Sequence, residues 1–239
     1  KDILIVRREG AVCHAILNRP HVGNALSADL VRTLTELVSD CANDSTSQLV
    51  LEGSGRHFCT GVDISELDNE TDDSLLARFI RIELLLQALH SAPFDTVALA
   101  HGRVIGAGAD IFVACRQRLV QPDTMFCFPG AAGFGLVLGT RRLAALVGPG
   151  TAHRWISRSE WIDAVTALTC GLATASGDTA APPVPMADSK VIPALLHAMQ
   201  APDANERDLA LLALSAARPG LKERIARYAE RRSAGTRQE

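Results

Sequence analysis

Two glycine-rich turns hold the residues of this 239-residue chain that are best suited to chemistry. One turn reads "HFCTGVDISEL" and the other "HGRVIGAGAD", and each follows an apolar run. Glycine lets a backbone approach a ligand closely, and a helix that starts at such a turn presents unpaired N–H groups with partial positive charge. Two such turns facing each other can stabilise a developing oxyanion. A tight strand-to-helix connection would need the same glycines, so both interpretations stay open.

Asp110 is the carboxylate that closes the second turn, directly before an apolar helical stretch. A carboxylate beside a ligand site is suited to general acid or base catalysis. The same residue type in the first turn of a helix also stabilises the helix dipole. The sequence therefore predicts either a catalytic or a helix-stabilising role for Asp110.

Several common motifs are absent. "GAGADI" would need a third glycine at Ile111 to be a dinucleotide-binding fingerprint, no GxxxxGK occurs, and "EGSGR" is not the GxSxG of serine hydrolases. Nucleotide-binding folds and serine hydrolases are therefore not the first expectation.

The composition is typical of a soluble globular protein, with 47% hydrophobic residues and a formal net charge of -3. No basic block predicts nucleic acid binding, and the longest apolar stretch is interrupted by His101, Arg103 and Asp110, so no membrane span is expected. The six cysteines form no CxxC pair and no short Cys/His spacing. We therefore expect reduced thiols, no metal site and a cytoplasmic location.

The order of the predicted elements indicates the α/β class. "ILIVRR" and "AVCHAIL" predict a hairpin, Ser27 can cap a first helix, and "SQLVLEG" predicts a buried strand. A helix through "SLLARFIRIELLLQALHSA", a strand "DTVALA", a helix from about Ala107 and strands "RLVQ" and "MFCF" follow. Alternating strands and helices favour parallel pairing with helices packed outside the sheet.

A linker is predicted at "SGDTAAPPVPMAD", where proline and glycine disfavour both a helix and a central strand. Three amphipathic helical segments follow it. The sequence thus predicts a core over residues 1–175 and a helical C-terminal region over 186–239. Such helices serve equally well as a packing cap or as an oligomerisation face.

Five blocks in order make the chain resemble the crotonase superfamily, also called the enoyl-CoA hydratase/isomerase family. They read "ILNRPHVGNALS", "GRHFCTGVDISEL", "ALAHGRVIGAGADIFVAC", "MFCFPGAAGFGLVLGTRRLAALVG" and "CGLA". The resemblance implies a spiral of ββα repeats with a helical C-terminal part, and assembly as a homotrimer or hexamer. It also implies an acyl-CoA thioester ligand, with coenzyme A as part of the substrate and no separate cofactor.

The resemblance assigns an oxyanion hole to the backbone N–H groups of Val62 and Ala107. Alanine replaces the usual glycine at the second position, but a methyl side chain leaves the N–H donor in place. The surrounding ligand-binding positions that the resemblance implies are Cys59, Gly61, Val62, Ile64 and Gly106.

The family's hydratases use two carboxylates, and only one is present here. Asp110 occupies the first position and Gly130 the second, while a further position that holds aspartate in some members falls on Leu138. Efficient hydration and simple double-bond isomerisation are therefore not expected. Thioester enolate chemistry such as decarboxylation, retro-aldol cleavage or hydrolysis fits better, and the alternative is a catalytically silent acyl-CoA-binding or accessory protein.

The remaining reactive side chains near the two turns have simpler interpretations. His57 and His101 are expected to be structural neighbours, and Cys59 and Cys127 small buried hydrophobes. Arg116 and Arg154 add charge near the site. The basic residues Arg231 and Arg232 are candidates for contact with the CoA phosphates.

Overall fold

A computed structural model describes residues 2–181, 191–199 and 201–236 of the chain. Its main sheet has six strands in the order β1-β2-β3-β4-β6-β9. The bounds of these strands are β1 Leu4–Glu9, β2 Val12–Leu17, β3 Gln48–Gly53, β4 Asp95–Ala100, β6 Gln117–Val120 and β9 Ala175–Ser176. A smaller sheet in the order β5-β7-β8 contains β5 Arg103–Ile105, β7 Met125–Cys127 and β8 Ile162–Asp163.

Helices pack around these sheets and connect their strands. They are α1 Ala28–Asn43, α2 Asp72–His90, α3 Ala107–Ala114, α4 Gly130–Phe134, α5 Thr140–Val147, α6 Pro149–Arg158, α7 Ala164–Thr169, α8 Val191–Met199, α9 Ala204–Ala216 and α10 Leu221–Thr236.

The predicted hairpin and the parallel sheet are both confirmed. β1 pairs antiparallel with β2, and the connecting turn contains Gly10 at φ +60°. From β2 onward, each neighbouring pair in the main sheet is parallel. The strands of a parallel sheet are covered on both faces, which explains the continuous apolar runs of β3 and β4. The chain is therefore of the α/β class.

The two long N-terminal helices start at polar caps. Ser27 accepts a hydrogen bond from the Leu30 N–H (3.2 Å), as the sequence predicts for α1. Thr71 and Ser74 form a reciprocal capping box at the start of α2. These caps satisfy N–H groups that have no partner inside the helix, and so fix where each helix begins.

The C-terminal helices share the main core. Leu212 of α9 and both Leu221 and Ile225 of α10 are buried in the same apolar cluster as the sheet and α2. This packing supports the interpretation of the region as a packing cap, while the boundaries 1–175 and 186–239 and the oligomerisation role stay predictions. Most of the predicted linker, residues 182–188, lies outside the described residues.

No helix in the described ranges is long and apolar enough to cross a membrane.

Candidate functional site

The two glycine-rich turns lie against each other at the start of α3. The Ile105 N–H donates a hydrogen bond to the Cys59 carbonyl (3.0 Å), which ties the second turn to the first. A Cβ at Gly108 would lie 2.4 Å from the Cys59 carbonyl oxygen, so the backbones meet where only glycine fits. The glycines therefore serve the contact between the turns as well as their local geometry.

Val62 and Ala107 present backbone N–H groups that have no hydrogen-bond acceptor within the part of the chain that the structure describes. Ala107 is the first residue of α3, where helix geometry leaves the N–H unpaired. The position that a Cβ of Gly61 would occupy is 3.8 Å from the Ala107 nitrogen, which places the two turns side by side. Gly61 has φ +98°, a conformation that favours glycine.

Val62 and Ala107 both line one apolar pocket, hereafter the candidate pocket. The pocket opens to solvent and has a volume of about 90 Å³, enough for several water molecules or a small acyl group. The walls come from both turns, from α4 and the segment after it, and from α10. The residues used below are Gly61, Val62, Ile64, Gly106, Ala107, Asp110, Gly130, Phe134, Leu138, Gly139, Tyr228 and Arg232.

The pocket brings most of the predicted site residues together. Gly61, Ile64 and Gly106 lie in the wall beside the two N–H donors. Cys59 does not line the candidate pocket: it is buried behind the wall, with its side chain near Gly108. Its carbonyl oxygen holds the Ile105 N–H, and its role as a ligand-binding residue stays a prediction.

Asp110 is the one carboxylate among the described residues of the candidate pocket, and only 5% of its surface is exposed. Burial raises the pKa of its carboxyl well above the usual range; the nearby Arg142 opposes this effect and Glu83 adds to it. No described group donates a hydrogen bond to the carboxylate. Desolvation is thus the largest cause of the raised pKa, while the position of Asp110 in the first turn of α3 is one where the helix dipole favours a charged carboxylate.

Gly139 covers one side of the Asp110 carboxyl. A Cβ at position 139 would lie 2.2 Å from Asp110 Oδ1, and Gly139 has φ +66°. The absence of a side chain there thus makes room for the carboxyl group. Gly139 was not predicted as a site residue, although it lies within the "GLVLGTRR" block.

A buried ion pair lies behind Asp110. Arg142 Nη2 of α5 is 2.6 Å from Glu83 Oε2 of α2, and each side chain is only 1% exposed. Arg142 Nη1 also lies 3.2 Å from Asp208 Oδ2 of α9. Glu83 was not predicted, although the sequence carries a signal for it: a carboxylate on the apolar side of a helix, in "IELLLQ".

No charged side chain occupies the position of the second carboxylate. Gly130 and Leu138 both line the candidate pocket, where the family resemblance puts acidic groups in other members. A Cβ at Gly130 would lie 3.4 Å from the Leu136 carbonyl oxygen, a contact that needs only a small adjustment. The pocket could therefore accept a side chain at 130, but this chain does not supply one.

The two histidines beside the turns bind the backbone outside the candidate pocket. His57 Nδ1 accepts from the Arg103 N–H (3.2 Å), and burial lowers the pKa of its imidazole, with Arg103 and Arg56 adding to the effect. His101 Nε2 lies 3.0 Å from the Gly55 carbonyl oxygen. Both therefore hold the loop that precedes the first turn.

The thiols near the site are held in their protonated form. Burial raises the pKa of Cys59 to about 12 and that of Cys127 to about 11. Neither lines the candidate pocket in the described structure. Both match the expected small buried side chains.

Of the four arginines that the sequence singles out, three contact other parts of the protein and the fourth, Arg232, lines the candidate pocket. Arg116 donates to the carbonyls of Phe94 and Ala92, and Arg154 lies beside Glu160 on an exposed helix face, with 3.1 Å between Nε and Oε2. Arg231 Nη2 donates to the Gly133 carbonyl (3.1 Å). Arg232 lies in the pocket wall and stacks over the Tyr228 ring at 5.8 Å.

Tyr228 and Phe134 were not predicted as site residues. Their rings pack with centroids 5.4 Å apart, and both line the candidate pocket. A Cβ at Gly133 would lie 2.7 Å from the Tyr228 ring, so that glycine admits the aromatic side chain of α10. The glycines of "GAAGFG" are a sequence signal for close packing at this segment, but nothing in the sequence indicated which helix would lie over it.

Comparison with known proteins identifies close relatives. Residues 12–220 match the family model described as enoyl-CoA hydratase/isomerase. A probable enoyl-CoA hydratase of Mycobacterium tuberculosis is 35% identical over 174 residues, 71% of this chain and 69% of that protein. A short-chain-enoyl-CoA hydratase of Clostridium acetobutylicum is 32% identical over 176 residues, 71% of this chain and 66% of that protein.

A solved structure covers nearly the whole molecule. The crystal structure of a "putative enoyl-CoA hydratase/isomerase" from Bordetella parapertussis superposes with a TM-score of 0.88 at 36% identity, over 96% of this chain and 99% of that one. The crotonase-like α/β fold with its helical C-terminal part is thereby confirmed. On these matches, the chain belongs to the enoyl-CoA hydratase/isomerase family of enzymes.

Proposed function

We propose that this protein binds an acyl-CoA thioester and stabilises its enolate at the N–H groups of Val62 and Ala107. The observation that carries the proposal is the pair of unpaired backbone donors in the wall of one apolar pocket, beside a single buried carboxyl group. Preorganised donors that meet developing negative charge lower an activation barrier. The family membership supports a thioester as the ligand.

Asp110 is the proton carrier of the proposed reaction. Because burial raises the pKa of its carboxyl, it holds a proton at higher pH than an ordinary aspartate does. An enolate released by loss of carbon dioxide needs one proton at the α-carbon, which Asp110 can donate and then regain from water. In retro-aldol cleavage the Asp110 carboxylate would first take up the β-hydroxyl proton as the aldehyde leaves and then donate it to the α-carbon, so either reaction requires only one acid/base residue.

Classical hydration is not the proposed reaction. In the family's hydratases two carboxylates share the tasks of positioning water and transferring a proton, and this chain has Gly130 at the second position. Removing one general acid or base typically lowers a rate by about 10²–10⁴-fold. We therefore expect crotonyl-CoA hydration well below about ten per second, and a faster rate with Gly130→Glu.

The second candidate function is binding without turnover. Gly130 favours it, because a protein that only carries or presents an acyl-CoA needs the oxyanion donors and the apolar pocket but no acid/base pair. In that case Asp110 is a buried structural residue.

A panel of CoA thioesters, assayed for both binding and turnover, tests the two functions. We expect Asp110→Asn to lower turnover of the preferred substrate by about 10²–10⁴-fold while its affinity changes little, since asparagine keeps the shape but cannot exchange a proton. Asp29→Asn, on the exposed start of α1, is the matched control. Full turnover by Asp110→Asn contradicts the proton role, and binding without any turnover supports the second function.

Four further properties belong to this proposal. The substrate brings coenzyme A with it, so no separate cofactor is proposed. A homotrimer or hexamer is proposed from the family resemblance, and a cytoplasmic location from the cysteine usage. We propose no nucleic acid or membrane partner.

A further inference from the structure

Cys13 and Cys41 form a pair of thiols away from the candidate pocket. Cys13 lies on β2 directly opposite Arg8 of β1, and directly opposed residues of an antiparallel pair extend to the same face. The guanidinium of Arg8 reaches across to α1, where its Nη2 is 4.0 Å from Cys41 Sγ. Cys13, Arg8 and Cys41 therefore meet between the hairpin and α1, where the two thiols are hydrogen-bonding neighbours.

Charged and polar groups surround this pair on its outer side. Arg8 Nη2 lies 2.9 Å from Asp44 Oδ2, and Arg8 Nη1 donates to Thr46 Oγ1 (2.9 Å). The side chains of Arg8 and Asp44 are 43% and 36% exposed, while both thiols are buried. The pair thus lies beneath the partly exposed side chains of Arg8 and Asp44, which separate it from solvent.

The two thiols have different acidities. The hydrogen bond from Cys13, together with the Thr46 hydroxyl and the charge of Arg8, lowers the pKa of Cys41 to about 6, against the opposing effects of burial and of Asp44. The same hydrogen bond raises the pKa of Cys13, with burial adding to it. Cys41 therefore has the character of a reactive thiolate, and Cys13 stays protonated beside it.

We propose that Cys41 and Cys13 form a peroxide-reactive pair that closes to an intramolecular disulfide between α1 and β2. The Cys41 thiolate attacks one oxygen of a hydroperoxide, the O–O bond breaks, and the leaving oxygen takes up a proton. Cys41 is thereby oxidised by two electrons to a sulfenic acid, and the peroxide is reduced. The Cys13 sulfur then attacks the sulfenic sulfur, the S–O bond breaks, and the Cys13 proton leaves with the oxygen as water.

The other thiols provide a contrast within the same chain. Burial raises the pKa of Cys59 and of Cys115 to about 12, and Arg118 and Arg116 only partly oppose this at Cys115. Cys170 is partly exposed and its Sγ lies 3.7 Å from the Ala167 carbonyl oxygen, with no cationic side chain among its described contacts. A general sensitivity to oxidation would reach Cys170 first, whereas the proposal selects Cys41 and Cys13.

The test is oxidation of the purified, reduced protein with hydrogen peroxide, followed by peptide mapping and titration of free thiols. Two of the six thiols should be lost, with a Cys13–Cys41 cross-linked peptide that thiol reductants reverse. Cys13→Ser should leave a Cys41 sulfenic acid that dimedone traps, and Cys170→Ser should behave like the wild type. Lowering the pH from 7 to 5 should slow the reaction about tenfold, because the Cys41 thiolate is protonated through a pKa of about 6.

Mapping on the wild-type protein decides the outcome even where a cysteine variant does not fold. The proposal is overturned if Cys59, Cys115 or Cys170 is oxidised before Cys41. It is also overturned if Cys41 is oxidised without any link to Cys13 while circular dichroism shows a folded protein.

Discussion

Asp110 shows at the level of one residue how a folded protein can hold a carboxyl group against its preference for water. The side chain is buried, lies beside the backbone of Gly139 and has no hydrogen-bond donor among the described groups. Its charged form is therefore disfavoured in the folded state. The free-energy cost of the charged form makes the stability of the protein depend on pH, in a direction that can be measured.

We expect Asp110→Asn to be more stable than the wild type at pH 8, and the difference to shrink toward pH 4. The carboxyl pKa is about 3.9 in the unfolded chain and is raised in the folded one. Between these two values the folded state binds the extra proton, so wild-type stability falls as the pH rises, by up to about 1.4 kcal/mol per unit of pKa difference. Asparagine does not titrate.

Chemical denaturation of both proteins across this pH range measures the effect. Asp29→Asn should show no such trend, since that carboxylate is exposed on α1. A variant that is less stable than the wild type at pH 8 would show that the helix dipole dominates at position 110.

Gly139→Ala should lower both stability and any turnover. The new Cβ would lie 2.2 Å from Asp110 Oδ1, in a backbone conformation that alanine rarely adopts. Overpacking of this kind typically costs about 1–3 kcal/mol, and here it also displaces the proposed proton carrier. Thermal unfolding and the thioester assay together measure the change.

Two control substitutions at other glycines separate the effect of backbone strain from that of contact with Asp110. Gly148 has φ +82° and nothing within 4 Å of its Cβ position, so Gly148→Ala reports backbone strain alone. Gly150 also has nothing within 4 Å, so Gly150→Ala in α6 should be neutral or slightly stabilising. If Gly139→Ala resembles Gly148→Ala in both measurements, contact with Asp110 is unimportant.

Among single residues, Asp110 was singled out from its place after the glycine cluster, whereas Val62, Ala107 and Gly130 were assigned through the family resemblance. The structure brings all four to one pocket, and their roles stay predictions. Tyr228 could not be placed from the sequence, because its position depends on how α10 crosses α4.

At the scale of elements, the start of α10 is held by a carboxylate from a distant helix. Asp72, the first residue of α2, accepts hydrogen bonds from the N–H groups of Gly220, Leu221 and Lys222 at 2.8–3.1 Å. These N–H groups have no partner inside α10. The contact fixes the end of the helix that carries Tyr228 over the candidate pocket.

Asp72→Ala should loosen the first turns of α10 without unfolding the protein. Hydrogen exchange of the amides of residues 220–228 should become faster, and the affinity for acyl-CoA should fall. The three backbone hydrogen bonds, with that of Lys222 the largest cause, lower the pKa of Asp72 against a smaller effect of burial. The protection is therefore present at neutral pH and is lost as the pH falls through the lowered pKa.

Asp73→Ala is the control, because Asp73 is the exposed neighbour on the same helix turn. Equal exchange rates in the two variants would show that the cap does not anchor α10.

Elements with strong periodicity or alternation were predictable, and short ones were not. The hairpin, α1, α2 and the parallel strands follow from apolar spacing and caps. The two-residue strands β8 and β9 and the division of residues 130–158 into three helices depend on tertiary contacts, since segments this short are not stable alone.

At the scale of the molecule, one buried ionic network joins three parts of the chain. Arg142 of α5 forms ion pairs with both Glu83 of α2 and Asp208 of α9. Arg141 adds a second ion pair to Asp208, with 2.8 Å between Nη2 and Oδ2. Gln87 extends the network by donating to Glu83 and to the Asn205 carbonyl. The C-terminal region is therefore held to the core by charge as well as by apolar packing, which the spacing of apolar residues in the sequence could not reveal.

Glu83→Leu should destabilise the protein by about 3–5 kcal/mol, because it leaves the buried Arg142 without one of its two carboxylates. Adding Arg142→Met should cost less than the sum of the two single changes, as a double-mutant cycle in denaturant would show. Glu36→Leu, which breaks the exposed Arg32–Glu36 pair, should change stability little. Additive effects at 83 and 142 would contradict a coupled pair.

The contact between Gly108 and Cys59 has a consequence for how this protein can diversify. Because the proposed donors belong to the peptide backbone, any residue except proline at positions 62 and 107 keeps both of them. Their spacing is instead encoded by residues that touch no ligand, namely Gly108 and the Cys59–Ile105 hydrogen bond. A mutational scan should therefore find that positions 62 and 107 accept other small side chains except proline, whereas position 108 accepts only glycine, so that the pocket walls can change toward new acyl groups while the donors keep their spacing.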